Sequence, residues 1–225
     1  MLFDILRNGF SMNTVLTLCA RVFVVFCTLP VHEYAHAFVS TKLGDDTARL
    51  KGRLTLAPLA HIDLIGALMI LLVGIGYAKP VPVNPRKFKN PKVGMALTAA
   101  AGPVSNLIMA LIFMILSNAA TVAFGITSSV FLNVATLFFM FAAQINVGLA
   151  VFNLLPIPPL DGSRVINLII PSKYYFKIMQ YERYIILAVF ALMFFGILDG
   201  PINFVSGVVM KAIYFIAELP FKLFL

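Results

Sequence analysis

"LPVHEYAHAFV", residues 29–39, sits in one of the most apolar stretches of the chain, yet it carries His32, Glu33 and His36 within five residues. A titratable side chain at the centre of a bilayer costs roughly 2.5–3.5 kcal/mol on insertion scales. Something must offset that cost: a bound group, or histidines hydrogen-bonded inside a bundle with Glu33 paired to a lysine, unless the segment lies elsewhere. The spacing favours the first. Residues four apart lie on one helical face, so both imidazoles can address a single metal ion. Glu33, about 100° further round the helix, can face a water on that metal rather than ligate it. With three His and three Glu in 225 residues, such a pattern arises by chance on the order of once in two thousand chains.

The rest of the composition fits a membrane setting. The chain is 61% hydrophobic and 12% charged, with a mean hydropathy of +0.98, whereas soluble domains run near a quarter charged. This implies an all-α polytopic membrane protein, residues 1–225 forming a single membrane-embedded domain. The formal net charge of +8 reads as cytoplasmic-loop Lys and Arg obeying the positive-inside rule rather than as a nucleic-acid surface. No signal peptide is expected, since Asp4 stands where a basic region would be. Cys19 and Cys27, eight apart on one helix, are too distant to bridge and are expected to pack.

Along the chain the expected bundle has four to six transmembrane segments. Residues 12–43 can form one helix, with a span over about 22–41 and Arg21 snorkelling at one interface. In "ARLKGRLTLAP", residues 48–58, Arg49, Lys51, Arg53 and Thr55 alternate with Leu50, Gly52, Leu54 and Leu56. Period two predicts a strand, hence a short re-entrant β-hairpin dipping beside the first span. The uncharged run 64–78 has basic flanks on both sides, which favours a re-entrant half-span. Two full spans follow, about 94–116 and 130–153, joined by a charge-free loop outside. A shorter apolar run covers 184–198, and 201–219, which carries Lys211, is either a tilted span or interfacial.

Zinc needs a third protein ligand and leaves a fourth position for water. Two candidates share the inner side, His61 and Asp161. Asp161 is favoured, because it follows the proline-broken end of a span and Gly162 lets the chain turn there. Asn146 and Asn153 are seven apart on one helix face, and interhelical hydrogen bonding is the reading for Asn146. The small residues Ala99 to Gly102 allow close helix approach.

Three stretches carry a resemblance: HEYAH at 32–36, AGPVSN at 101–106 and NLLPIPPLDG at 153–162. Together with GRLTLAPLAHIDLIGA and GYAKPVPVNP, the sequence over residues 25–185 resembles the site-2 protease family of intramembrane zinc metalloproteases, in a small form without PDZ or nucleotide-binding appendages. Ala57 departs from the pattern, where relatives often have Asn. The resemblance implies one zinc ion per chain on His32, His36 and Asp161, with Glu33 as catalytic acid/base. It also implies Asn153 at the active site, and Gly102, Pro103 and Asn106 lining it. The implied activity is hydrolysis of a peptide bond within or near a transmembrane segment of a membrane protein. The basic loops set the site toward the cytoplasmic side of the cell membrane. Leu54, on the expected strand edge, would hold the unwound substrate by strand addition. A non-proteolytic zinc-binding membrane protein or a zinc transporter is the alternative. The partners are then the lipid bilayer and a membrane-protein substrate; nucleic acid is not among them, and no oligomeric state is implied.

Overall fold

The first helix shows how the sequence shapes the scaffold. In a computed structural model, which describes residues 11–72 and 78–222, helix α1 runs unbroken from Met12 to Lys42. Ser11 caps it, its hydroxyl accepting the Thr14 N–H at 3.2 Å. Midway, Val24–Thr28 widens into a π turn. Pro30 is the cause we assign: it has no N–H, and its ring would crowd the carbonyl of Phe26 in a regular helix. The 31 residues of α1 span about 46 Å. The expected helix over 12–43 thus forms, its stretch before the span at about 22–41 included, while residues 1–10 lie outside the described residues.

Among the described residues, helix α2 covers Leu64–Leu72. Asp63 starts it by accepting the N–H groups of Ile65 and Gly66 at 3.1 and 3.0 Å. Arg21 does more than snorkel, since its guanidinium donates to the carbonyls of Leu71 and Ile70 at 3.0 and 3.5 Å. The remainder of the expected half-span, at 73–77, lies outside the described residues.

Helices α3, Pro91–Thr127, and α4, Val130–Asn153, form the central antiparallel pair. Ser128, at φ 52°, turns the chain, and α4 restarts after Ser129. Buried alanines at 110, 142 and 143 let these backbones approach. Phe23 of α1 meets Phe113 and Phe138 edge-on at 5.6 and 5.4 Å. On the outer face of α3, Val104, Ile108, Ile112 and Leu116 form an exposed stripe at four-residue spacing, the face such a helix offers to lipid. Cys19 and Cys27 are free and exposed, so they do not pack inside as expected. Short helices α5, Asp161–Ile166, α6, Ser172–Met179, and α7, Glu182–Phe194, precede α8, Asp199–Glu218. Among the described residues, four helices are long and apolar enough to cross a membrane: Met12–Lys42, Pro91–Thr127, Val130–Asn153 and Asp199–Phe221.

No strand forms among the described residues, and the expected β-hairpin is corrected here. The side chain of Asp45 accepts both the N–H and the hydroxyl of Thr47, at 3.0 and 2.5 Å, and that starts a one-turn helix, Thr47–Leu50. Gly52 then takes a left-handed φ of 67°, which ends any extended run. The alternation that mimics a strand has separate causes. Arg49 pairs with Asp46 at 3.2 Å, and Arg53 donates to the Lys79 carbonyl. Leu54 is half-buried in a bend and offers no strand edge.

Candidate metal centre

The helix spacing of the opening motif places two rings together. The His32 and His36 imidazoles, with Nε2 atoms 3.0 Å apart, are both buried. His36 donates its Nδ1–H to the Thr98 carbonyl of α3 at 2.7 Å. That bond fixes the tautomer and leaves Nε2 with a free lone pair, the ligand form of a histidine.

The third donor arrives from α4. The prolines at 156, 158 and 159 stop that helix after Asn153, and α5 begins at Asp161. A side chain on Gly162 would put its Cβ 2.1 Å from the Leu154 carbonyl oxygen, so only glycine lets the turn close. Asp161 Oδ2 then lies 3.5 Å from His32 Nε2 and 3.3 Å from His36 Nε2.

Those three edges decide what the cluster fits. A tetrahedral zinc ion with ligands at about 2.0–2.2 Å separates its donor atoms by about 3.4 Å. Edges of 3.0, 3.3 and 3.5 Å match that triangle. Gly102 supplies the room. A Cβ there would stand 2.3 Å from His36 Nε2 and 2.5 Å from His32 Nε2. Its place in the motif is thus explained by an absent side chain rather than by a lining one.

A cavity of about 580 Å³ opens beside the triangle, walled by α1, α3, α4, α5, α7 and the segment Ala78–Val83. Glu33 lines it, buried and without a hydrogen bond or ion pair among the described residues. Asn106 and Asn153 line it too. Asn106 is 2% exposed, and Asn153 spends one amide hydrogen on the Leu149 carbonyl at 3.0 Å. Pro103 is buried one residue behind Gly102 and does not line the cavity. Leu54 is likewise not among the lining residues, so the expected substrate edge is not brought to the site.

The other third-ligand candidate is engaged elsewhere. His61 is completely buried, with Nε2 donating to the Thr55 carbonyl at 2.7 Å and Nδ1 facing the Arg53 guanidinium at 3.4 Å. Asn146 also departs from expectation. Its amide donates within its own helix, to the Ala142 carbonyl at 2.9 Å.

The residues from 20 to 197 match the model of peptidase family M50. The chain belongs to that family. Over 167 residues it is 43% identical to "Putative zinc metalloprotease YwhC" of Bacillus subtilis strain 168, covering 72% of this chain and 74% of that protein. It is 32% identical over 146 residues to "Putative zinc metalloprotease Rip2" of Mycolicibacterium smegmatis, and 34% identical over 141 residues to the same-named protein of Mycobacterium tuberculosis. These last two alignments take in 60% of this chain and 51% of each mycobacterial protein. No solved structure matches the chain. With its four apolar helices, this M50 member is an integral membrane protein.

Sequence reading missed the Thr98 carbonyl, as any main-chain acceptor escapes side-chain patterns. It also missed Arg164 and Glu182 in the cavity wall. For Arg164 a signal existed, because it stands three residues after Asp161 and so on the same helical face.

Proposed function

We propose that this chain is an intramembrane zinc metalloprotease that hydrolyses a peptide bond within or near a transmembrane segment of a membrane protein. The observation that carries the reading is the closed triangle of His32, His36 and Asp161 at the edge of a cavity that also holds Glu33. One zinc ion per chain fits it. When bound there, zinc supplies Lewis acidity and a water with a pKa lowered toward about 7.

The chain's own residues do the rest. Glu33 takes the proton from the attacking water and returns it to the leaving amine. Asn106, and the amide hydrogen that Asn153 keeps free, turn toward the charge developing on the scissile carbonyl oxygen. Thr98 holds His36 in its ligand tautomer. The cavity wall is largely apolar, and a low local dielectric strengthens each of these interactions.

The cradle lies toward the end of the bundle where α1 closes at Lys42 and α3 opens beside Lys92, joined there by the His36–Thr98 bond. His36 is six residues from the end of α1, roughly 9 Å along the helix. The uncharged link at residues 128–129 marks the opposite end. By the positive-inside rule the site faces the cytoplasmic side of the cell membrane.

The test compares membranes of cells carrying wild type and Glu33→Gln, with zinc measured on both purified proteins. Equal zinc, with fragments cut within a span only in the wild type, supports the reading. A Glu33→Gln protein that still cuts overturns the role of Glu33. A zinc-loaded wild type that moves zinc across vesicles but cuts nothing makes it a transporter.

A further inference from the structure

The cavity contains a cation that the proposed chemistry does not use. Arg164 lies on α5 one turn after Asp161, lines the same space, and is half-buried. No carboxylate stands within ion-pair reach of its guanidinium among the described residues, and no protein acceptor takes its hydrogens. Glu182 lines the cavity as well but does not reach it. A half-buried guanidinium that shares a cavity with apolar Leu149, Phe152, Ile186 and Val189 attracts a counter-charge that enters that space. Its planar fork of donors fits a carboxylate in a bidentate manner.

Resting on the protease reading above, we propose that Arg164 is a substrate-binding residue that receives a carboxylate of the peptide beside the bond to be cut. Asp161 and Arg164 are three apart on one short helix, so the residue that completes the metal triangle also fixes how far the guanidinium stands from it. A peptide whose scissile carbonyl faces the triangle therefore presents a neighbouring group to Arg164. Two sources of that carboxylate are open: an acidic side chain near the cut, or the new C-terminus of the departing N-terminal fragment. Glu182, elsewhere on the wall, adds a negative charge that disfavours an acidic group placed there.

The test uses the full chain as Glu33→Gln, zinc-loaded, in lipid nanodiscs. The probes are synthetic single-span peptides in which one Glu is moved residue by residue along the span, each with a Gln twin. A truncated set ends at each position in either a free carboxylate or an amide. Binding is compared with Arg164 intact, Arg164→Gln and Arg164→Lys. A charge-assisted pair lost without compensation weakens binding by about tenfold or more. The expected result is that Arg164→Gln removes this preference of Glu over Gln at one position, or of carboxylate over amide at one chain end. Arg164→Lys should restore part of it. The first pattern names an acidic side chain, the second a product terminus. Loss of binding to both twins equally, or no change for any probe, overturns the proposal. Cleavage of the same peptides by the unmodified chain is scored separately. A peptide that binds through Arg164 but is never cut sinks the protease reading and leaves carboxylate binding standing.

Discussion

Two regions of this protein hold buried or half-buried histidine and aspartate side chains, and they differ in what those groups touch. In the connector between α1 and α3, His61 and Asp45 are fully buried and saturated by protein. His61 reaches Thr55 and Arg53. Asp45 accepts from Thr47 twice, from the Asn84 N–H at 2.6 Å, and faces Lys87 at 3.7 Å. In the cradle, His32, His36 and Asp161 instead aim lone pairs at one another. Satisfied polar groups hold a loop in shape, whereas donors left converging await a cation. Residue type alone does not separate the two regions; the bonding does.

The comparison breaks most visibly at the ligands. Asp161→Ala or His36→Ala should reduce zinc in the purified protein to near background, while His61→Ala leaves it close to one ion per chain, as measured by elemental analysis. Zinc lost equally from all three would erase the distinction. Next in size is Gly102→Ala. A methyl group there would occupy the space of the two imidazole nitrogens, so zinc affinity should fall by roughly one to two orders of magnitude, the range seen when a metal's supporting shell is disturbed. Gly148→Ala, where a Cβ meets nothing within 4 Å, is its control and should bind zinc as the wild type does.

A smaller effect is expected in the connector. Asp45→Ala leaves the half-buried N–H groups of Thr47 and Asn84 without their acceptor, a loss of about 1–3 kcal/mol, read as a lower unfolding temperature with zinc content unchanged. The smallest effect is in pH. Burial pushes the Asp45 carboxyl up, but bonds from the Thr47 hydroxyl, the Asn84 and Thr47 amides and the Lys87 charge together hold it below its ordinary value of 3.8. Its stabilisation is thus complete above that value and is lost as pH falls through the depressed one. Pepsin nicking of the connector should increase on acidification below pH 3.8, and Asp45→Asn should flatten that increase. A pH response identical in both proteins would assign it to other groups.

How much was legible follows from the range of each interaction. The pairing of His32 and His36 is set within about one helical turn, so five residues of sequence contain it. Asp161 was readable because prolines and Gly162 announce the turn that delivers it. The full spans announced themselves by apolar length. The connector was misread, since the alternation at 49–55 has the period of a strand but arises from separate contacts of Arg49, Arg53 and Thr55. The Asp45 bonds that start its helical turn outweigh that pattern, and their bond to Asn84 crosses 39 residues. The role of Gly102 was hidden for the opposite reason. The sequence shows that a side chain is missing, and only the crossing of α1 and α3 shows what stands in the gap.

Ser128 and Ser129 alone separate α3 from α4, on the face opposite the metal cradle. A link of two residues holds no folded module and offers an outside ligand almost nothing to grasp. Any factor that restrains or recruits this protein through its central hairpin must therefore work sideways, from within the lipid layer, or arrive from the basic side where the loops are long.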